Sequence, residues 1–170
     1  MTAAPSSLTP ADAHSRARDE HLRAVDELLG APLPGQPCRA DAGWGGPGYR
    51  VCILRASRDF WDCGMGDREA AEEEMAAHLD ALSAALTARW GAGPDTVDLW
   101  ACLQAGFDGV EVPEPLDSLS MLACSMQVWP LPESGRWLAL TVGQADTEFP
   151  LELIAVVGAA DLSAAPYQRD

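Results

Sequence analysis

The stretch from Asp67 to Trp90 constrains this chain more than any other. Ala71, Met75, Leu79, Leu82, Leu86 and Trp90 recur at steps of three and four, which places them on one face of an α-helix. Glu69, Glu73, Asp80 and Thr87 fall on the opposite face. Acids crowd the first turns (Asp67, Glu69, Glu72, Glu73, Glu74), where the helix dipole is positive, and Arg89 stands in the last turn. Gly91, Gly93 and Pro94 then end the helix. A helix so one-sided needs a surface to lie on.

The flanking segments read as strands that supply it. Tyr49 to Ala56 holds the continuous apolar run Val51-Cys52-Ile53-Leu54, typical of a strand covered on both faces. Thr96 to Gln104 alternates, with Val97, Leu99, Ala101 and Leu103 facing one way. Further strands are predicted over Ser118–Trp129, Arg136–Val142 and Phe149–Val157, joined by turns at Pro130–Gly135 and Gly143–Glu148. Pro10 and Asp12 open a first helix that ends at Gly30, ahead of Pro32 and Pro34. Ala31–Gly48, rich in Pro and Gly, reads as a loop, and Ala105–Asp117 as an extended connection.

The order α-β-α-β-β-β-β predicts a single α+β domain over residues 10–158. Residues 1–9 and 159–170 read as tails. Its sheet is expected to be mixed and about five-stranded, with the 67–90 helix on one face. The strand–helix–strand unit implies two parallel strands if they share a sheet, and the short turns imply antiparallel ones.

Charge bounds the partners. The chain of 170 residues carries a formal charge of −15 and contains no lysine. From Asp95 onward twelve acids face only Arg136 and Arg169. Such a field repels nucleic acid and anionic membrane and favours a basic protein partner. No apolar run reaches the ~20 residues that span a bilayer, and Met1–Pro10 lacks the pattern of a secretory signal. A cytoplasmic protein is the expectation. The five cysteines, Cys38, Cys52, Cys63, Cys102 and Cys124, form no CxxC pair and suggest neither a disulfide scaffold nor a metal site.

Motifs of catalysis are missing. Gly64-x-Gly66 fails as a dinucleotide loop because Glu69 occupies the position that needs glycine or alanine, and a Walker lysine cannot exist here. Asp59, Asp62 and Asp67 do not have calcium-loop spacing. His14 and His21, seven apart, read as a solvated helix face, and His78 as a core-edge residue. No cofactor and no metal is called for.

Tryptophan is the more suggestive signal. Trp100, Trp129 and Trp137 come from three predicted strands, and Met121 shares the alternate phase. If Leu122, Met126, Val128, Leu138, Leu140 and Val142 pack on the main helix, the tryptophans occupy the second face of the sheet. With Asp98, Glu148 and Glu152 they would form a recognition surface, unless the first helix covers it. The favoured expectation is an acidic protein-binding domain that neutralises a basic partner, as an immunity protein, antitoxin or accessory chaperone does. Self-association through the same face is a further reading. The alternative is a small-molecule-binding protein or enzyme with a pocket formed by Trp44, Asp59, Asp62 and Cys63.

Overall fold

The computed structural model describes residues 8–163 and the backbone of 167–168. The first seven residues of the expected N-terminal tail, with 164–166 and 169–170, lie outside the described residues. Helix α1 (Pro10–Gly30) has the predicted bounds, and its start is fixed by a reciprocal cap. Asp12 N–H donates to Thr9 Oγ1 at 3.2 Å, while Thr9 N–H donates to the Asp12 carboxylate at 3.2 Å. The main helix, α2 (Met65–Trp90), begins two residues earlier than expected and stops at Gly91, whose φ of 73° suits the left-handed cap.

The Pro/Gly-rich segment after α1 is not plain loop, since it forms the hairpin β1 (Cys38–Ala40) and β2 (Gly43–Gly46). Strand β3 (Tyr49–Ala56) follows with its predicted limits. Beyond α2 the predicted strand 96–104 splits into β4 (Asp95–Asp98) and helix α3 (Leu99–Phe107). Here both periods fitted, because Leu99, Cys102 and Leu103 also satisfy a helical stripe. The Asp98 carboxylate decides it by accepting Ala101 N–H at 2.9 Å, an N-cap that starts a helix and stops a strand. The predicted strand 118–129 likewise divides into α4 (Leu116–Ser120) and β5 (Ser125–Leu131). Strands β6 (Arg136–Gly143), β7 (Glu152–Gly158) and the two-residue β8 (Tyr167–Gln168) follow among the described residues.

Among the described residues the sheet has eight strands in the order β1-β2-β3-β7-β6-β5-β4-β8, not about five, and every neighbouring pair is antiparallel. The expected mixed sheet is therefore corrected. Strands β3 and β4, joined through α2, do run in the same direction, but β7, β6 and β5 lie between them. No parallel pair forms because the β5–β6–β7 meander occupies the gap.

Both long helices cover one face. Val25 and Leu28 of α1 and Leu82 and Leu86 of α2 pack on Trp129, Leu138, Leu140, Ala155 and Val157. The second face buries Val51, Val97, Met126, Val128, Trp137, Ala139, Ile154 and Val156 under α3, α4 and Leu162. Leu162, from the segment read as a tail, is thus part of that core. The first helix does not cover the second face; it lies beside α2 on the first. Strand β7, sandwiched between both layers, explains its unbroken run of buried side chains.

The expected phase holds for β6 and fails for β5. Directly paired residues share a face, and Val128 pairs with Ala139 while Trp129 pairs with Leu138. Met126 and Val128 consequently point away from the long helices. The shift is one residue, enough to exchange every side chain between faces. No helix among the described residues is long and apolar enough to cross a membrane.

Candidate functional site

Pairing register places five strand ends in one row. Ala56 lies opposite Glu152, Glu152 opposite Gly143, and Ser125 opposite Asp98. Thr141 Oγ1 donates to the Ser125 carbonyl at 2.7 Å and closes the row between β6 and β5. The segments that leave this end, 57–64, 99 onward, 121–124 and 144–151, are consequently neighbours although they are far apart in sequence.

Their backbones are tied together. Phe60 N–H donates to the Glu148 carbonyl at 2.9 Å, and Ser57 N–H donates to the Leu151 carbonyl at 2.8 Å. Gln144 N–H donates to the Leu122 carbonyl at 2.8 Å, and Trp100 N–H to the Cys124 carbonyl at 3.0 Å. The Gln144 side chain donates to the Phe149 carbonyl at 2.7 Å. Arg68, from the first turn of α2, donates to the carbonyl of Thr147 and lies 4.8 Å over the Phe60 ring. Phe60 itself is buried with Met75, Leu151 and Leu153. The loops are thus anchored from below by one buried aromatic and one arginine.

What they present outward is apolar. Trp61, Met65, Phe149, Trp100 and Met121 are all solvent-exposed, from 48% for Phe149 to 84% for Met65. Trp61 and Phe149 meet edge to face with centroids 6.1 Å apart. Exposed Asp59, Asp62, Asp146 and Glu148 stand among them. The two nearby cations are already engaged: Arg58 pairs with Asp67 at 2.9 Å, and Arg68 also reaches Glu72 at 3.4 Å. Glu152, half-buried in the strand row, has its carboxyl pushed above the ordinary range by burial. This end of the sheet therefore carries exposed aromatic and methionine side chains together with exposed carboxylates.

Residues from both sequence-derived groups meet here. Asp98, Trp100, Met121, Glu148 and Glu152 of the recognition set share this end with Asp59, Asp62 and Cys63 of the pocket set. Cys63 Sγ lies 3.5 Å from the Asp59 carbonyl and lines a cleft of about 180 Å³ with Phe60, Met65, Arg68 and Thr147. Three tryptophans go elsewhere. Trp129 is buried on the first face, 6.0 Å from Trp90. Trp137 is buried on the second, where its indole N–H donates to the Ala160 carbonyl at 2.9 Å. Trp44 packs on the second-face core and lines a different cavity of about 230 Å³ with Arg50, Cys38 and Cys52. The three strand tryptophans therefore form no common surface, and Trp44 shares no pocket with Cys63. Sequence reading passed over Trp61, Met65 and Phe149; the available signal was an aromatic residue flanked by acids in Asp59-Phe60-Trp61-Asp62.

Histidine placement differs from expectation as well. His14, His21 and His78 come together where α1 crosses α2, with ring centroids 5.3 Å and 5.4 Å from His78. His21 is buried, not solvated, and His78 is buried beside an open cavity at the edge of the core. Among the described residues no three His, Cys, Asp or Glu side chains are placed to hold a metal ion. The chain matches no protein-family model, no curated protein and no solved structure.

Proposed function

We propose that the protein is a small acidic binding domain that captures a basic polypeptide segment on the acid-and-aromatic end of its sheet. The observation that carries this reading is that five exposed large apolar side chains and exposed carboxylates lie at one end of the sheet, on hydrogen-bonded loops and on the starts of α2 and α3. Exposed aromatics and methionines at one pre-organised place supply apolar anchors, and the carboxylates attract and orient a cationic partner. A net charge of −15 strengthens the attraction at long range and opposes binding to nucleic acid. An immunity protein, antitoxin or accessory chaperone acts in this manner. The five cysteines are unpaired, which suits a reducing compartment such as the cytoplasm.

Site-specific photo-crosslinking in the native cell tests the reading. A photoreactive residue at Met65 or Met121 is expected to capture one stoichiometric basic protein. The same residue at Glu133, in the turn at the opposite end of the sheet, should capture none. Equal capture from all three positions, or an acidic partner, would overturn it.

A further inference from the structure

Helix α1 is attached unevenly. Its buried residues are His21, Val25 and Leu28, so nothing ahead of His21 is buried. Val25 and Leu28 seat the C-terminal half in the first-face core, and Asp26 adds an ion pair to Arg89 at 2.6 Å. The N-terminal half is held through imidazoles. The His14 ring stacks on His78 at 5.3 Å with an interplanar angle of 23°, and His21 meets the same ring edge-on at 5.4 Å.

The surroundings favour neutral rings. His21 Nδ1 is buried without a hydrogen-bond partner. His78 Nε2 lies 3.6 Å from Glu74 Oε1, but that oxygen already accepts from Arg55 Nη2 at 2.6 Å. The charged groups facing the cluster are Arg16 and Glu20 from α1, Glu74 from α2 and Arg55 from β3. Glu74 beside His78 and Glu20 beside His21 favour an added proton, but burial and Arg55 outweigh them. A cavity of about 320 Å³ lined by His14, Arg16, Glu20, Arg55, Glu74 and His78 opens the cluster to solvent, and protons can reach it.

We propose that His21 and His78, with the His14 ring stacked on His78, form a proton-operated latch, closed while the two buried rings are neutral, whose protonation releases the N-terminal half of α1 from α2. Burial and the neighbouring Arg55 hold His21 and His78 below the ordinary histidine value. Neutral rings can stack and bury; charged His21 and His78 rings repel each other and Arg55. The C-terminal half of α1 stays seated, because its buried anchors Val25 and Leu28 carry no ionisable group.

Hydrogen exchange of the whole protein at about pH 7.5 and about pH 5, corrected for intrinsic rates, reads the latch. Amides of residues 14–22 are expected to lose about tenfold or more of their protection at the lower pH, while those of 25–30 change little. A His21→Leu/His78→Leu variant should show no such pH-dependent loss. If that variant fails to fold, the histidine ring resonances of the wild-type protein give the same information, because they should titrate together with the loss of protection. Unchanged protection of 14–22, ring titration without loss of protection, or the same loss in the variant would each overturn the latch.

Discussion

Trp61 stands edge-on to Phe149, with ring centroids 6.1 Å apart, and the contact joins the loop after β3 to the loop before β7. Both rings remain exposed, so the pair organises surface instead of core. Trp61→Ala is expected to change stability by less than ~1 kcal/mol, as truncations at exposed positions do. The same substitution should weaken binding of the cross-linked partner by ~2 kcal/mol or more, the scale of an aromatic anchor. Urea unfolding and calorimetric titration, read side by side, check both halves.

A pair of substitutions separates the capping role of Asp98 from the binding role proposed for it. Its carboxylate caps α3 through Ala101 N–H at 2.9 Å. Asp98→Ala should cost ~1 kcal/mol of stability, whereas Asp98→Asn, which still caps, should cost little. If its charge contributes to the basic partner's approach, Asn will nonetheless slow association and reduce its salt dependence. Stopped-flow binding at two ionic strengths distinguishes the roles.

Gly158 lies under Trp137. A Cβ added there would stand too close to the buried Trp137 indole for the ring to keep its place. Gly158→Ala should therefore destabilise the protein by ~1–3 kcal/mol, the cost of forcing atoms into a packed core. Because Trp137 also holds Ala160 by a hydrogen bond, quenching of tryptophan fluorescence should rise along with the drop in urea midpoint.

Two pH effects of opposite sign follow from burial. His21 and His78 are held below the ordinary value of 6.5, so the unfolded chain binds their protons more readily. Stability from these groups is full above about pH 6.5 and falls as pH drops through the lowered folded values. Glu152 is held above its ordinary 4.5, so its contribution is favourable below that pH and is lost as pH rises through the raised folded value. Glu152→Gln should raise the urea midpoint at neutral pH and leave it nearly unchanged at about pH 4, where the carboxyl is largely protonated in either state. Urea midpoints measured across that range test both signs.

The elements with strong local signals were legible. Helix α1 was readable from Pro10 and its two-proline stop, α2 from its apolar stripe and Gly91, and β3 and β6 from their apolar runs. At 96–104 the local signal was ambiguous, because a nine-residue segment fits a two-residue and a 3.6-residue period equally until the Asp98 cap is seen. Half of the candidate site was also legible. Acids at 59, 62 and 148 and exposed side chains at 100 and 121 stood out, yet they were divided between two separate expectations.

By itself the sequence determined an acidic α+β chain with helices α1 and α2 and strands β3 and β6, because caps, turns and periodicity act over a few residues. Only the tertiary structure decided the strand order, the one-residue register that put Trp129 and Trp137 on opposite faces, and the meeting of loops 57–64, 121–124 and 144–151 at one end. It likewise decided that three histidines from two helices share one site. These are long-range contacts, selected by how whole layers bury their apolar faces, and no local pattern encodes which distant partner each segment will find.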